Sequence, residues 1–289
     1  PSPGGGGLKP ALRYGVGRQE FTWLTSQTWA RDQRSFEVGV RAGDVVGKLD
    51  TILLASFATN NMPQGIAVAS AWRGWPVELH VHAYHAEDET GGELRAHWSR
   101  RFPLSRLTLE AGANDDFPFA NATFSTRQQL GATRFDESVR VDADDEHWRG
   151  LLAAGVRAGS LRFGARYQHD GGANVTLGGV PSSIVPQSKY ALRILDPALP
   201  ASILGGDEYD GWRIETNVPG VPLTAFYQRH EIGAARLSLA GLEGTLLSDP
   251  FPILKMPGLA LDAGAARILD GPRELRGDTN WWLAMRWHP

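Results

Sequence analysis

Short segments that alternate apolar and polar residues run along most of this chain, joined by tight turns. Four turns need only two residues: Gly74-Trp75, Phe102-Pro103, Gly159-Ser160 and Pro219-Gly220. Around each, antiparallel pairing of the flanking segments sets apolar side chains opposite apolar ones. About the last, Val218 meets Val221, Thr216 meets Leu223, Ile214 meets Ala225, and Trp212 meets Tyr227. Side chains alternate faces along a strand, so each of these strands has one apolar face. Repeated over the chain, the pattern predicts an all-β fold, an antiparallel transmembrane β-barrel. Membrane strands need about ten residues each, apolar outward and polar inward.

Upward strands are predicted at roughly 14-28, 48-58, 76-86, 104-113, 133-142, 161-170, 221-231 and 258-268. Downward strands fall near 34-43, 65-73, 92-101, 121-131, 147-158, 209-218, 235-247 and 279-288. That makes about 16, an even number as single-chain bacterial barrels require. Segment 133-142 alternates poorly, but parity requires it if all four tight turns lie at one end. Short connections belong on the periplasmic side. The opposite loops are predicted as AEDETGG (86-92), GANDDFPFAN (112-121), DADDEH (142-147) and the long stretch 171-208, rich in Asp, Asn and Gly. The irregular segment 14-28 is expected to close the barrel against the aromatic 279-288, with few hydrogen bonds at that seam.

Composition narrows the class. Cysteine is absent from the 289 residues, which removes disulfides and thiolate chemistry. The net charge of -3 argues against a nucleic-acid partner. Several of the ten tryptophans fall near strand ends, where interfacial girdles sit. No apolar run reaches the roughly 18 residues of a transmembrane helix. Residues 1-10 (PSPGGGGLKP) read as a flexible linker that follows something else, leaving 11-289 as the barrel domain. A sandwich would carry heavier Val, Ile and Phe on its inner faces, and a propeller would show a blade repeat.

Loop 171-208 is far longer than any other and joins strands eleven and twelve. Its prolines at 181, 186, 197 and 200 and its many Ile and Leu suit an ordered plug that fills the lumen. The arrangement resembles the BamA-like outer-membrane assembly-factor superfamily, whose sixteen-stranded barrels place a long loop here behind a Gly-Gly pair. Leu177-Gly178-Gly179 matches that element. The family's Arg-Gly-aromatic loop tip is absent; Arg193, in LRIL, is the nearest basic residue, which argues against insertase or translocase activity. The Gly-Gly pair, the Pro197-Ala-Leu-Pro200 stretch and the aromatic last strand are more similar to barrels found behind TolB-like propellers. In the BamA-like family the seam between first and last strands opens laterally, so the resemblance implies a gate there.

Candidate chemistry lies on the inward faces. His80 and His82 share one face, and pairing Val81 with Trp98 brings His97 opposite His82, with Glu78 nearby and Tyr84 opposite Arg95. Three imidazoles could hold a divalent metal; a wet polar lumen wall is the reading favoured over it, because lumen faces are polar by necessity. Across the next hairpin Arg95 meets Glu110. Arg149, Arg157, Arg162 and Arg166 form an inward cluster that either pairs with Asp196, Asp207 and Glu208 of the loop or selects anions. No nucleophile elbow, phosphate loop or dinucleotide fingerprint is present. The expected function is a plugged barrel in the bacterial outer membrane, contacting lipid and lipopolysaccharide. It would serve as anchor or assembly barrel for a periplasmic domain, with no cofactor. The alternatives are a porin-like channel for small anionic solutes and an enzyme built on the histidine wall.

Overall fold

The computed structural model describes residues 19–30, 33–44, 48–59, 62–87, 89–248 and 259–287; the linker 1-10 and the start of the first predicted strand lie outside them. In chain order the strands are β1 (Gln19–Ala30), β2 (Gln33–Asp44), β3 (Leu49–Thr59), β4 (Gly65–Trp72), β5 (Val77–Ala86) and β6 (Glu89–Arg101). Next come β7 (Ser105–Asn114), β8 (Pro118–Leu130), β9 (Thr133–Asp144), β10 (His147–Ala158) and β11 (Leu161–Leu177). The chain ends with β12 (Arg193–Ile194), β13 (Leu204–Asn217), β14 (Thr224–Ile232), β15 (Ala235–Ser248), β16 (Leu259–Asp270) and β17 (Thr279–Trp287). Setting aside the two-residue β12, sixteen strands pair antiparallel with their chain neighbours, β11 with β13, and β17 returns to β1. The result is a closed barrel, as the alternation predicts.

Proline explains where the turns differ from their predicted positions. Gly159-Ser160 joins β10 to β11 as expected, with Ala158 opposite Leu161. Pro219-Gly220 also turns as predicted, Val221 N donating to Val218 O at 3.3 Å, but beyond it, and at the other two turns, the pairing shifts around a proline. Pro222 would have sat opposite Asn217 and Pro76 opposite Arg73, where proline has no N–H for the ladder. The chain instead pairs Asn217 with Thr224 and Trp72 with Leu79. At the third, Phe102 N donates to Ser105 O at 2.8 Å, so Pro103 takes the second turn position, which its fixed φ suits.

The outward face is apolar. Phe36, Val81, Leu94, Leu109, Leu152, Phe163 and Trp281 are all exposed, and Phe36 stacks on its cross-strand partner Phe57. Ala83 is exposed too, whereas Val77 and Leu79 are half-buried. The inward face divides in two. From β5 to β11 it is mostly polar. From β13 to β17 it carries Phe226, Ile232, Leu237, Leu239, Ile268 and Trp282, all buried.

Strands run further than predicted at the end opposite the tight turns. The acidic stretches 86-92, 112-121 and 142-147 fold largely into strand, with Ala86 already opposite Glu89. Likewise, Gly171–Leu177 and Leu204–Glu208 extend the β11–β13 ladder through a register shift between Gly171 and Val175. The long connection therefore spans 178–203 rather than 171-208. At the seam, Thr25–Ala30 pairs with Trp282–Trp287, six rungs against eight or more for every other antiparallel neighbour among the described residues.

If the outward face meets lipid, Val81→Arg and Leu152→Arg each weaken folding into vesicles by about 2–4 kcal/mol. Thr123→Lys, on the inward face, changes it little. Urea titration of vesicle-folded protein measures all three; a neutral Val81→Arg would refute the assignment of faces.

Candidate functional site: the lumen and its loop

The loop opens at Leu177-Gly178-Gly179. Gly178 and Gly179 hold φ of +108° and +91°, a region closed to most side chains. A Cβ on Gly178 would collide with the carbonyl oxygen of Pro200. Gly178 N donates to Ile194 O at 2.9 Å, and Gly179 N is shared between Asp196 O at 3.1 Å and Leu199 O at 3.2 Å. The predicted elements Leu177, Gly178, Gly179, Pro197 and Pro200 thus converge at the loop's base. Arg193 instead lays its guanidinium over the Tyr190 ring at 5.6 Å, while its backbone pairs with Thr176.

Apolar packing seats the loop. Ile194, Ala198 and Leu199 join one buried cluster with Leu177, Phe226, Leu239 and Trp282 from the wall. On the far side Ile184 packs with Ala67, Tyr84 and Ala86. Burying an Ile or Leu stabilises by roughly 1.5–3 kcal/mol each.

Hydrogen bonds then tie the loop to strands all round the barrel. Gln33 accepts from Val180 N at 2.9 Å, and Glu37 accepts from Ser183 N at 3.2 Å and Ser183 Oγ at 2.9 Å. His82 Nε2 donates to Ile184 O at 2.8 Å, which fixes its tautomer. Asn114 donates to Ser188 at 3.0 Å, Arg149 to Ala191 O at 2.7 Å, and Asn280 to Ala198 O at 2.8 Å. Asp196 is buried, accepts from Gln228, and lies 3.2 Å from His230 Nε2. His230 Nδ1 in turn accepts from the Tyr209 hydroxyl at 2.8 Å. Near the mouth, Lys189 meets Asp115 at 2.8 Å, Glu89 at 3.1 Å, and Asp116. Burial alone would lower the Lys189 ammonium, but these carboxylates outweigh it and raise it.

The histidine wall takes a different register from the one predicted. Because β5 and β6 meet with Ala86 opposite Glu89, His82 faces Glu93, His80 faces Arg95, and Glu78 faces His97. The predicted partners sit four residues away. His97 Nδ1 bonds Glu110 at 2.8 Å, His80 Nε2 lies 3.5 Å from Glu78, and His82 is committed to the loop. Arg95 reaches Glu93 at 3.5 Å and Glu110 at 3.9 Å, although its rung partner is Gly112. Tyr84 donates to Glu89. The three imidazoles His80, His82 and His97 are therefore not assembled into a metal site.

The arginines divide. The loop bonds Arg149, and Arg166 lines a cavity of about 330 Å³ together with loop residues Ile194, Leu195, Asp196 and Pro197, whereas Arg157 and Arg162 lie by the opposite turn. Arg157 and Arg162 face each other on the next-to-last rung, beside the Gly159-Ser160 turn, and Arg166 faces Arg213. Asp196 is taken by Gln228, and Glu208 lies near His169, so neither pairs with these arginines. At this end lies a cavity of about 870 Å³ lined by Arg101, Arg106, Arg162, Arg166 and Arg213, with Glu215 among few acids. Arg213 is held by Glu215 at 3.0 Å and by Glu243. Among the described residues, Arg101, Arg106, Arg157, Arg162 and Arg166 have no carboxylate within ion-pair distance.

Sequence reasoning overlooked Gln33, Glu37, Gln228, His230 and Asn280, the wall groups that hold the loop. Their signal was alternation itself: Phe226, Gln228, His230 and Ile232 occupy successive inward positions on β14 and are all buried.

Gly178→Ala is expected to destabilise the loop by roughly 1–3 kcal/mol through backbone strain, read as faster protease cleavage within 178–203 in an otherwise folded barrel. Acid should loosen the loop near Lys189. Burial would raise the Asp115 carboxyl, but Lys189 holds it below its ordinary value of 3.8. Its contribution is therefore present above 3.8 and is lost as pH falls through the lower folded value. Hydrogen exchange at 187–191, corrected for intrinsic rates, should accelerate at pH 3 relative to pH 6, and should already be fast at pH 6 in Lys189→Ala.

No protein-family model and no curated protein matches the chain. Solved structures do match its fold. OccK10 (OpdN) of Pseudomonas aeruginosa superposes with a TM-score of 0.59 at 11% identity, covering 94% of this chain and 98% of that one. A BenF-like porin from Pseudomonas fluorescens Pf-5 gives 0.60 at 10% identity, covering 95% and 99%. CdiB from Acinetobacter baumannii gives 0.53 at 11% identity, covering 95% of this chain but 60% of that one. The porins match along their whole length, so the BamA-like likeness narrows to a shared barrel architecture. The chain has the closed sixteen-stranded fold of the bacterial outer-membrane porins, with the apolar outer belt of a protein that spans that membrane.

Proposed function

We propose that the chain is a porin-like channel of the bacterial outer membrane that passes small anionic solutes, with loop 178–203 setting its constriction. One observation carries this reading: among the arginines that line the cavity at the tight-turn end, Arg101, Arg106, Arg162 and Arg166 have no carboxylate within ion-pair distance among the described residues, whereas Arg127, Arg134 and Arg213 are paired. Unpaired positive charges between low-dielectric walls focus potential and concentrate anions. The porin neighbours support a conducting role over that of an anchor.

Reversal potential in planar bilayers under a KCl gradient tests the reading. The intact barrel is expected to favour chloride, and Arg162→Gln with Arg166→Gln to shift preference toward potassium. Deleting 181–204 should raise conductance several-fold. A barrel silent in both intact and deleted forms would refute the channel.

The short β1–β17 seam favours a second reading, a lateral gate in an anchor or assembly barrel. Thr28 and Ala284 face each other there. A disulfide between cysteines at these positions should abolish partner insertion while leaving any conductance intact.

A further inference from the structure

The outer surface carries a cluster that neither function uses. His169 on β11 and Asp210 on β13 are cross-strand partners, and Glu208 lies two rungs further toward the loop. By strand parity all three share the outward face with the exposed Phe163, Tyr167, Trp212 and Ile214, just past the apolar belt. They offer one ligand atom each, all within 4.8 Å of one another. We propose that His169, Glu208 and Asp210 form a site for one divalent transition-metal ion of the zinc class.

Three features point to a cation. First, His169 Nδ1 donates to Asp210 Oδ1 at 2.9 Å. An ion would displace that shared proton, so that Nδ1 and the Asp210 carboxylate become neighbouring ligands at a separation one ion spans. The Trp148 ring, 4.8 Å away, holds the imidazole in place. Second, Glu208 Oε1 lies 4.0 Å from the same ring's Nε2, too far for a hydrogen bond, and the three residues each offer a ligand atom within 4.8 Å of the others. Asp210 Oδ1 accepts from both His169 and Tyr167, while Oδ2 has no hydrogen bond among the described residues. Third, among the described residues no Lys or Arg comes within ion-pair distance of these two carboxylates. One imidazole and two carboxylates suit zinc or manganese, and the remaining coordination positions are open outward. The ion would tie β11 to β13 at the base of the ladder extension that carries loop 178–203.

Tag-free protein, stripped with chelator in detergent, would be titrated with zinc chloride by calorimetry, with bound metal counted by mass spectrometry. One equivalent per barrel is expected. His169→Ala and Asp210→Asn should each weaken binding at least tenfold, with Glu208→Gln as a milder third variant. His85→Ala, at another exposed histidine, should leave it unchanged. Heat-modifiable gel mobility establishes that each variant is folded. Absence of saturable zinc binding would overturn the proposal. So would binding that survives His169→Ala but is lost in His82→Ala, which would return the metal to the lumen wall.

Discussion

Every backbone N–H and C=O in the hydrocarbon layer must find a partner within the protein, because lipid offers none. That constraint organises the whole molecule. It forbids open edges, so β17 must return to β1 even where only six rungs are available. It places Pro76, Pro103, Pro219 and Pro222 in turns rather than on ladder rungs. It also forces a choice at the opposite end, where the chain must cover the lumen with a segment that forms almost no sheet. Loop 178–203 meets that demand by borrowing partners. Its amides and carbonyls bond to one another at the Gly178-Gly179 base and to wall side chains beyond it.

The two halves of the inner wall serve different purposes. The β13–β17 half is apolar where it faces the loop, so it forms a small core inside the barrel. The β5–β11 half stays polar and holds the loop through His82, Asn114 and Arg149. Of the unpaired arginines, Arg166 lines a cavity with loop residues 194–197, and the others lie toward the far end. An aqueous lumen makes their exposure tolerable; in a packed core each would demand a carboxylate.

Strand positions, barrel closure and the Gly-Gly pair were legible in the sequence because alternation and turn residues are local signals. Register was not. Pairing apolar with apolar is satisfied equally by registers two or four residues apart, since such shifts preserve both faces. Glu87 adopts a positive φ of 54° and lets β5 and β6 meet almost at once, which no acidic stretch advertises. That one turn moved His97 from opposite His82 to opposite Glu78. His169 was invisible for a related reason: its partners come from a strand on the other side of the long loop. Arg157 and Arg162 were placed on the correct face, but their distance from the loop followed from strand length rather than pattern.

Magnitudes decide whether the loop is a swinging lid or a fixed constriction. Ile184, Ile194 and Leu199 are each at most 6% exposed. Withdrawing all three into water would cost roughly 5–9 kcal/mol before any hydrogen bond is counted. A preference of about 5.5 kcal/mol already corresponds to some 10⁴ seated molecules for each withdrawn one. A more compact withdrawn state would trim that figure without reversing it. Thermal fluctuation alone therefore leaves the loop in place, and in the proposed channel solute would pass around it. Large-scale opening would require a ligand or partner that binds the withdrawn state more tightly by a comparable amount.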